Sequence, residues 1–227
     1  MINTDWAWLS GFIDGDGCFT CAVWEKVPNG IPTITIAPRI IISQAEQNRY
    51  ILDYIVQKTG VGKVYIKKEI SNSFNSQEQG MYTISRLDDI RYICENISPY
   101  IVHKKLQCEM MLELVNIRLQ GKIGINKWNR ERIPLENTLR CAELGLSLNP
   151  YATNGRNSRH NGKERTIEYW KVRIPEIYLL ADEMIYKRKF DKYIELICST
   201  CNRTFNRLKC NIRKGTKNHY CSMECKK

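Results

Sequence analysis

Hydrophobic and polar positions change period several times along this chain, and each change marks an element. Residues 5–15 place Trp8, Leu9, Phe12 and Ile13 on one side at helical spacing, with Thr4 or Asp5 available as the N-cap. From 18 to 27 the period drops to two, Phe19, Cys21 and Val23 alternating with Thr20, Ala22, Trp24 and Lys26. Pro28-Asn29-Gly30 predicts a turn. Over 31–43 the alternation resumes, with Ile34, Ile36, Ile40 and Ile42 on one face and Thr33, Thr35, Ala37, Arg39 and Ile41 on the other. One buried face and one half-polar face describe a one-sided antiparallel sheet.

A helix is predicted over 46–59, with Tyr50, Ile51, Tyr54 and Ile55 inward and Gly60 ending it. Strands follow at 61–69 and 80–86, then a short helix at 88–97 and a long one at 103–120 with Leu106, Met110, Leu114 and Ile117 inward. The order helix–strand–strand–helix–strand–strand–helix–helix gives an α+β fold, with helices on one face of a four-stranded antiparallel sheet. Beyond Gly121 the texture changes. A helix is expected at 134–146, a polar loop at Asn149–Gly162, a short strand at Glu168–Arg173, and a helix opened by Pro175 and running to about 196. The organisation expected is a core over 1–121, a basic extension over 122–197 and a small cysteine module over 198–227.

Charge sharpens this division. Residues 1–121 carry 12 Lys and Arg against 13 Asp and Glu, a net of −1, whereas residues 122–227 carry 23 against 11, a net of +12. A basic excess confined to one half is the electrostatic footprint of a phosphate-backbone partner. With 43% hydrophobic residues the chain can bury a core. No apolar run approaches the roughly 20 residues of a membrane span, and the N-terminal residues lack the basic and apolar regions of a signal peptide. The ten cysteines are accordingly expected to be free or metal-bound in a reducing, intracellular compartment; organelle and microbial or phage origins stay open.

The segment Trp8–Gly17 carries the candidate chemistry. Gly11 and Gly15 lie four residues apart on an amphipathic helix, so its backbone can approach a second helix closely. Asp14-Gly15-Asp16-Gly17 then ends the helix with carboxylates and open carbonyls, oxygen donors suited to hard divalent cations. An EF-hand is excluded, because Cys18 and Phe19 stand where an oxygen ligand and the loop glycine belong. The alternative use of such a stretch is a helix C-cap with one solvated aspartate. His103, His160 and His219 form no catalytic or metal spacing, and GxSxG, Walker A and dinucleotide fingerprints are absent.

Leu9-Ser10-Gly11-Phe12-Ile13-Asp14-Gly15-Asp16-Gly17 resembles the signature of LAGLIDADG homing endonucleases, departing from it mainly by Ser10 for alanine. The likeness extends over roughly residues 4–121 and points to the single-motif branch. It implies that Asp16 binds Mg²⁺ (or Mn²⁺) beside the scissile phosphates with the Gly15 carbonyl as a supporting ligand, while Asp14 is either structural or a support to the site one step removed from the metal. It implies a homodimer joined through Leu9, Gly11, Phe12 and Gly15, and hence a near-palindromic double-stranded DNA target. Gln44 resembles the residue that orients active-site water, with a strand-end cap as its other reading. Lys104 resembles the basic residue that polarises water or stabilises phosphate charge, with Lys105 as the neighbouring candidate. A further basic group expected at position 48 is missing, since Asn48 stands there, and Arg49 is the nearest substitute. The open sheet face would read DNA through Thr20, Ala22, Trp24, Lys26, Thr35, Ala37, Arg39, Ile41, Tyr65, Lys67, Thr83 and Ser85.

Cys198-x2-Cys201 and Cys221-x3-Cys225, 19 residues apart, form a four-thiolate zinc pattern that resembles a treble-clef finger. Cys210 and His219 are competing ligands. Arg203, Arg207, Lys209, Arg213 and Lys214 around it suit a DNA-backbone clamp; a purely structural knot or a protein contact is the other reading. The whole chain is thus read as a metal-dependent, site-specific DNA endonuclease, the competitors being an RNA-splicing maturase acting on intron RNA, or a regulator that keeps the fold without cutting. An endonuclease domain inside an intein is disfavoured, because splicing blocks are absent around the motif.

Overall fold

A computed structural model describes residues 1–67, 78–121, 133–148, 166–190, 193–212 and 218–226. It divides into two compact units, Met1–Pro28 with Pro32–Tyr178, and Asn29–Ile31 with Leu179–Lys227. The expected loop at Asn149–Gly162 lies outside the described residues.

The first unit opens with α1 (Asn3–Asp16), then β1 (Gly17–Lys26), β2 (Thr33–Ala45), α2 (Arg49–Thr59), β3 (Lys63–Lys67), β4 (Gln79–Ile84), α3 (Leu87–Ile97), α4 (Lys105–Gln120), α5 (Leu135–Ser147) and the first part of α6 (Ile167–Phe190). The sheet is antiparallel throughout, in the order β1-β2-β4-β3. The alternation read from the sequence is obeyed: Phe19, Cys21, Ile34, Ile36, Ile40 and Ile42 are buried, and their neighbours one position away are not. This α+β architecture is the one expected.

Three helices differ in detail from the expectation. α1 starts earlier: Ile2 is the N-cap residue, and the Asp5 carboxylate accepts the Ile2 N–H at 3.3 Å, so Asp5 reaches back to the cap and Thr4 takes no part. In α2 the buried stripe is Leu52, Ile55 and Thr59, while Tyr50 and Tyr54 are exposed. In α4 it is Cys108, Met111, Leu114 and Val115, and Leu106 is 65% exposed. In α2 the two tyrosines misled the phase, and in α4 the exposed Leu106 did, the true stripe there beginning at the small Cys108 thiol. Gly60 closes α2 as expected, in the left-handed conformation at φ 72°.

Glu168–Arg173 is helix, and Pro175 lies inside α6 rather than opening it. Within the first unit Trp170, Ile174, Ile177 and Tyr178 are buried at helical spacing, which outweighs the short polar–apolar alternation that suggested a strand. A proline there removes one helical hydrogen bond, a loss of about 3 kcal/mol in an isolated helix, offset here by tertiary packing. Arg173 makes a two-pronged ion pair with Glu25 on β1 (2.7 and 3.0 Å), and the Thr138 and Tyr178 hydroxyls share a 2.5 Å bond. Ile133, Cys141, Ala142, Leu144 and Leu148 are buried too. The core therefore continues well past Gly121. α5 lies on the same sheet face as Phe19 and Cys21: a Cβ added to Gly145 would come within 2.9 Å of the Cys21 sulfur.

The second unit holds the remainder of α6 and an antiparallel hairpin, β5 (Tyr193–Ile197) with β6 (Thr204–Leu208). All ten cysteines are free of disulfides. No helix among the described residues is long and apolar enough to cross a membrane.

Candidate active site and nucleic-acid interface

The end of α1 gathers the residues singled out from the sequence. Gly17 makes the switch from helix to strand possible, because a Cβ there would lie 2.8 Å from the Ile13 backbone. Asp16, the last residue of the helix, is exposed and receives the Gln44 side-chain amide at 2.6 Å. Gln44 stands near the end of β2, paired across the ladder with Gly80. The Lys104 ammonium caps the carbonyls of Ile13 (2.9 Å), Asp14 (2.7 Å) and Gly15 (3.3 Å). Asp16, Gly15, Gln44 and Lys104 thus meet at one helix terminus, and Lys104 rather than Lys105 makes these bonds.

Asp14 points elsewhere. Its carboxylate accepts the backbone N–H groups of Val102 (2.8 Å), His103 (3.2 Å) and Lys104 (2.8 Å). Desolvation pushes this carboxyl up, but the three N–H donors and the Lys104 charge outweigh it and leave its pKa below the ordinary 3.8. Arg49 is engaged with Glu46 at 3.3 Å and Asp53 at 3.5 Å, so its charge is spent on its own helix region rather than on Asp16.

An exposed carboxylate, a helix-end carbonyl, an amide and an ammonium form a set that can hold a hard divalent cation and steady negative charge beside it. The donors are all oxygen, which fits Mg²⁺ or Mn²⁺. The second oxygen of Asp16, Oδ1, has no hydrogen-bond partner among the described residues.

Leading away from this corner, the uncovered sheet face is laid out in rows by the strand register. Lys26 stands opposite Thr33, Trp24 opposite Thr35, Ala22 opposite Ala37 and Thr20 opposite Arg39. The next row runs Cys18, Ile41, Thr83 and Lys63 across all four strands, and the row beyond it Ser43, Met81 and Tyr65. Tyr65 is half exposed, Ser85 follows the end of β4, and Lys26 lies over the Trp24 ring at 4.9 Å. The Lys67 side chain lies outside the described residues, though its backbone pairs with Gln79. Cys18, Ser43, Lys63 and Met81 belong to this face and were missed. Each shares parity with a residue that was named on its own strand, so the same alternation could have found them.

The candidate dimer residues separate. Gly11 and Gly15 are exposed, and a Cβ at either would meet open space, while Phe12 is half-buried and stacks on Trp8 with ring centroids 5.5 Å apart. Leu9 is only 1% exposed and packs into the core of its own chain. It is therefore removed from the set of residues that could meet a partner, because the helix turns it toward the sheet.

In the second unit Cys198, Cys201, Cys221 and Cys225 bring their sulfur atoms within 4.8 Å of one another. The Cys198–Cys201 turn joins β5 to β6, with Asn202 in the left-handed region at φ 56°. Backbone N–H groups, chiefly that of Cys201 and also those of Cys221 and Thr200, lower the Cys198 thiol to about 6 against the opposing effect of burial. Cys221, sharing hydrogen bonds with Cys201, Cys225 and Cys198, is pushed up to about 12. Four thiols this close cannot all ionise without a cation among them. Cys210 donates to Asn211, His219 pairs with Ser199 through its backbone alone, and neither Cys210 nor the His219 imidazole is among the ligand atoms grouped within 4.8 Å. Arg203 is exposed and Arg207 lies 6.0 Å from the Phe205 ring. Arg213, Lys214 and the Lys209 side chain lie outside the described residues.

Known proteins share part of this sequence and the fold of the first unit. A family model described as LAGLIDADG endonuclease matches residues 9–112. A Neurospora crassa protein named "Probable intron-encoded endonuclease 4" is 39% identical over 66 residues, 29% of this chain, and the chain spans only 11% of that relative's length. Among solved structures, the homing endonuclease I-CvuI in complex with its target in the presence of Ca superposes with a TM-score of 0.54 at 17% identity, covering 78% of this chain and 96% of that one. An archaeal intron-encoded homing endonuclease, I-Vdi141I complexed with DNA, gives 0.54 at 18% identity, covering 78% and 98%. At such identities these two establish the shared fold.

Proposed function

We propose that this chain, whose residues 9–112 match a family model described as LAGLIDADG endonuclease, is a metal-dependent, site-specific DNA endonuclease that works as a homodimer. The observation that carries the reading is the meeting of Asp16, Gln44 and Lys104 at the end of α1.

The Asp16 carboxylate and the Gly15 carbonyl would hold Mg²⁺ or Mn²⁺, which when bound activates water and offsets charge on phosphate. Gln44 fixes the Asp16 carboxylate through its amide N–H, and its carbonyl oxygen remains an acceptor that can orient water. Lys104 brings a positive charge to the helix end, where it offsets the partial negative charge of three carbonyls and can steady a phosphate oxygen. One such site serves one strand. The homodimer reading is supported by the open space beside Gly11 and Gly15, which lets a second α1 approach closely. It makes the contact set Gly11, Phe12 and Gly15. An isologous contact of this kind pairs two sites with opposite strands of a near-palindromic duplex.

The open face supplies the DNA-reading surface, with Arg39 and Lys63 as the side chains suited to guanine and Ile41, Ala22 and Ala37 to thymine methyls. The four-cysteine cluster would hold Zn²⁺ as a structural ion in a treble-clef-like module, since four thiolates leave no open position for catalysis. Arg203 and Arg207 there suit the phosphate backbone.

Incubating the protein and Mg²⁺ with a library of long duplexes tests the reading. We expect double-strand cleavage at one near-palindromic site, reduced at least about a hundredfold by Asp16→Asn while binding persists. A protein that cuts nothing in either form, yet promotes intron RNA splicing, would be a maturase instead. Light scattering of the DNA complex tests stoichiometry: two chains per duplex are expected.

A further inference from the structure

We infer that Asp14 is a positioning residue for Lys104, acting through a reciprocal clamp between the end of α1 and the approach to α4. The inference rests on the nuclease reading for its catalytic meaning, but the clamp itself stands on geometry.

Helix ends leave backbone groups without partners. α1 ends on the carbonyls of Ile13, Asp14 and Gly15, and α4 is approached by the N–H groups of Val102, His103 and Lys104. A charged side chain from each side satisfies the other. The Asp14 carboxylate takes all three N–H groups, at 2.8, 3.2 and 2.8 Å, in the manner of a backbone anion nest. The Lys104 ammonium returns to the three carbonyls, at 2.9, 2.7 and 3.3 Å. The partners are about 90 positions apart in sequence, so this is a tertiary joint and not a local cap.

Lys104 is therefore gripped twice. Its backbone N–H is held by the Asp14 carboxylate and its ammonium by the Asp14 carbonyl, so one residue fixes both ends of the lysine side chain. A lysine loses much rotamer freedom when its ammonium is localised; anchoring the backbone beneath it narrows the positions the ammonium can reach. The shortest ammonium contacts are to Ile13 and Asp14, and the longest is to Gly15. The charge is thus held chiefly by Ile13 and Asp14, with only the longest of its three bonds reaching the Gly15 carbonyl. Asp14 touches neither Gln44 nor Asp16 among the described hydrogen bonds, so its influence on the site runs through Lys104.

Native-state labelling with an amine-selective reagent, read by peptide mass spectrometry, measures this without cleavage, so it would still report on the clamp if no DNA were ever cut. Asp14→Asn should raise the labelling rate of Lys104 about tenfold, the scale of a lost charge-assisted hydrogen bond, with Lys105 unchanged and melting still cooperative. Asp14→Ser, whose hydroxyl still accepts one N–H, serves if the amide variant does not fold. Reciprocity has its own readout: in Lys104→Met the Val102 and His103 amides should exchange with solvent faster. On a cleavable duplex, Asp14→Asn should lower kcat rather than DNA affinity, and should add no further loss in a Lys104→Met background. Unchanged Lys104 labelling, unchanged amide exchange, or losses from the two substitutions that multiply would each overturn the inference.

Discussion

Two carboxylates at the end of α1 stand two residues apart and face different surroundings. Asp16 looks outward to solvent and Gln44, whereas Asp14 is enclosed by backbone donors. Because the Asp14 carboxyl lies below its ordinary 3.8, its contribution to stability is complete above that value and is lost as pH falls through the lowered one. Melting temperature measured against pH should therefore drop more steeply in acid for the natural protein than for Asp14→Asn, which starts lower at neutral pH. Curves that stay parallel would contradict the assignment. Gly62 gives a second prediction at this scale. It sits at φ 81°, and a Cβ there would come within 2.3 Å of the Tyr82 ring, whose hydroxyl donates to the Val61 carbonyl at 3.0 Å. Gly62→Ala should cost about 2–4 kcal/mol in denaturant unfolding, combining left-handed strain with overpacking.

At the scale of elements, the strands were legible and the helix faces less so. A strand's period of two is unforgiving, and the isoleucines of β2 mark the buried side without ambiguity. In α2 and α4 exposed tyrosine and leucine side chains imitate a core stripe, while the true ones include Thr59 in α2 and the small Cys108 thiol in α4. The meeting of Asp16, Gln44 and Lys104 could be anticipated because Asp16 stands in the signature and the other two match by their local context. The Asp14 clamp could not, since it joins segments that only the fold brings together. α6 was misread for a related reason: Trp170, Ile174, Ile177 and Tyr178 show their spacing only when Pro175 is allowed inside the helix. Its packing makes a prediction. Trp170 is fully buried, so Trp170→Ala should cost about 3–5 kcal/mol, and a chain cut after Gly121 should lose cooperative melting. A truncated chain with an undiminished transition would show that α5 and α6 are dispensable.

For the molecule as a whole, charge is divided along the sequence, with the net +12 lying beyond residue 121. Residues 1–121, almost neutral, gain little from phosphate attraction alone, so the later residues are expected to supply most of the salt-sensitive affinity. Replacing Arg203 and Arg207 together by glutamine should weaken binding to all duplexes alike. It should also reduce the slope of log affinity against log salt by roughly 2; an unchanged slope would remove these residues from the DNA contact. Chelation should abolish the order of the β5–β6 hairpin if the four sulfur atoms close around zinc, leaving the sheet of the first unit intact.

The alternation along β2 and the first half of β1 has one more consequence. Every side chain on the uncovered face is separated by a single position from one that holds the fold together, yet the two never share a neighbourhood. Substitution at Thr20, Arg39 or Lys63 therefore leaves the isoleucine layer undisturbed. A lineage of such proteins could drift from one recognition sequence to another in small steps, each tolerated, because the vocabulary of the surface is written on different residues from the grammar of the interior.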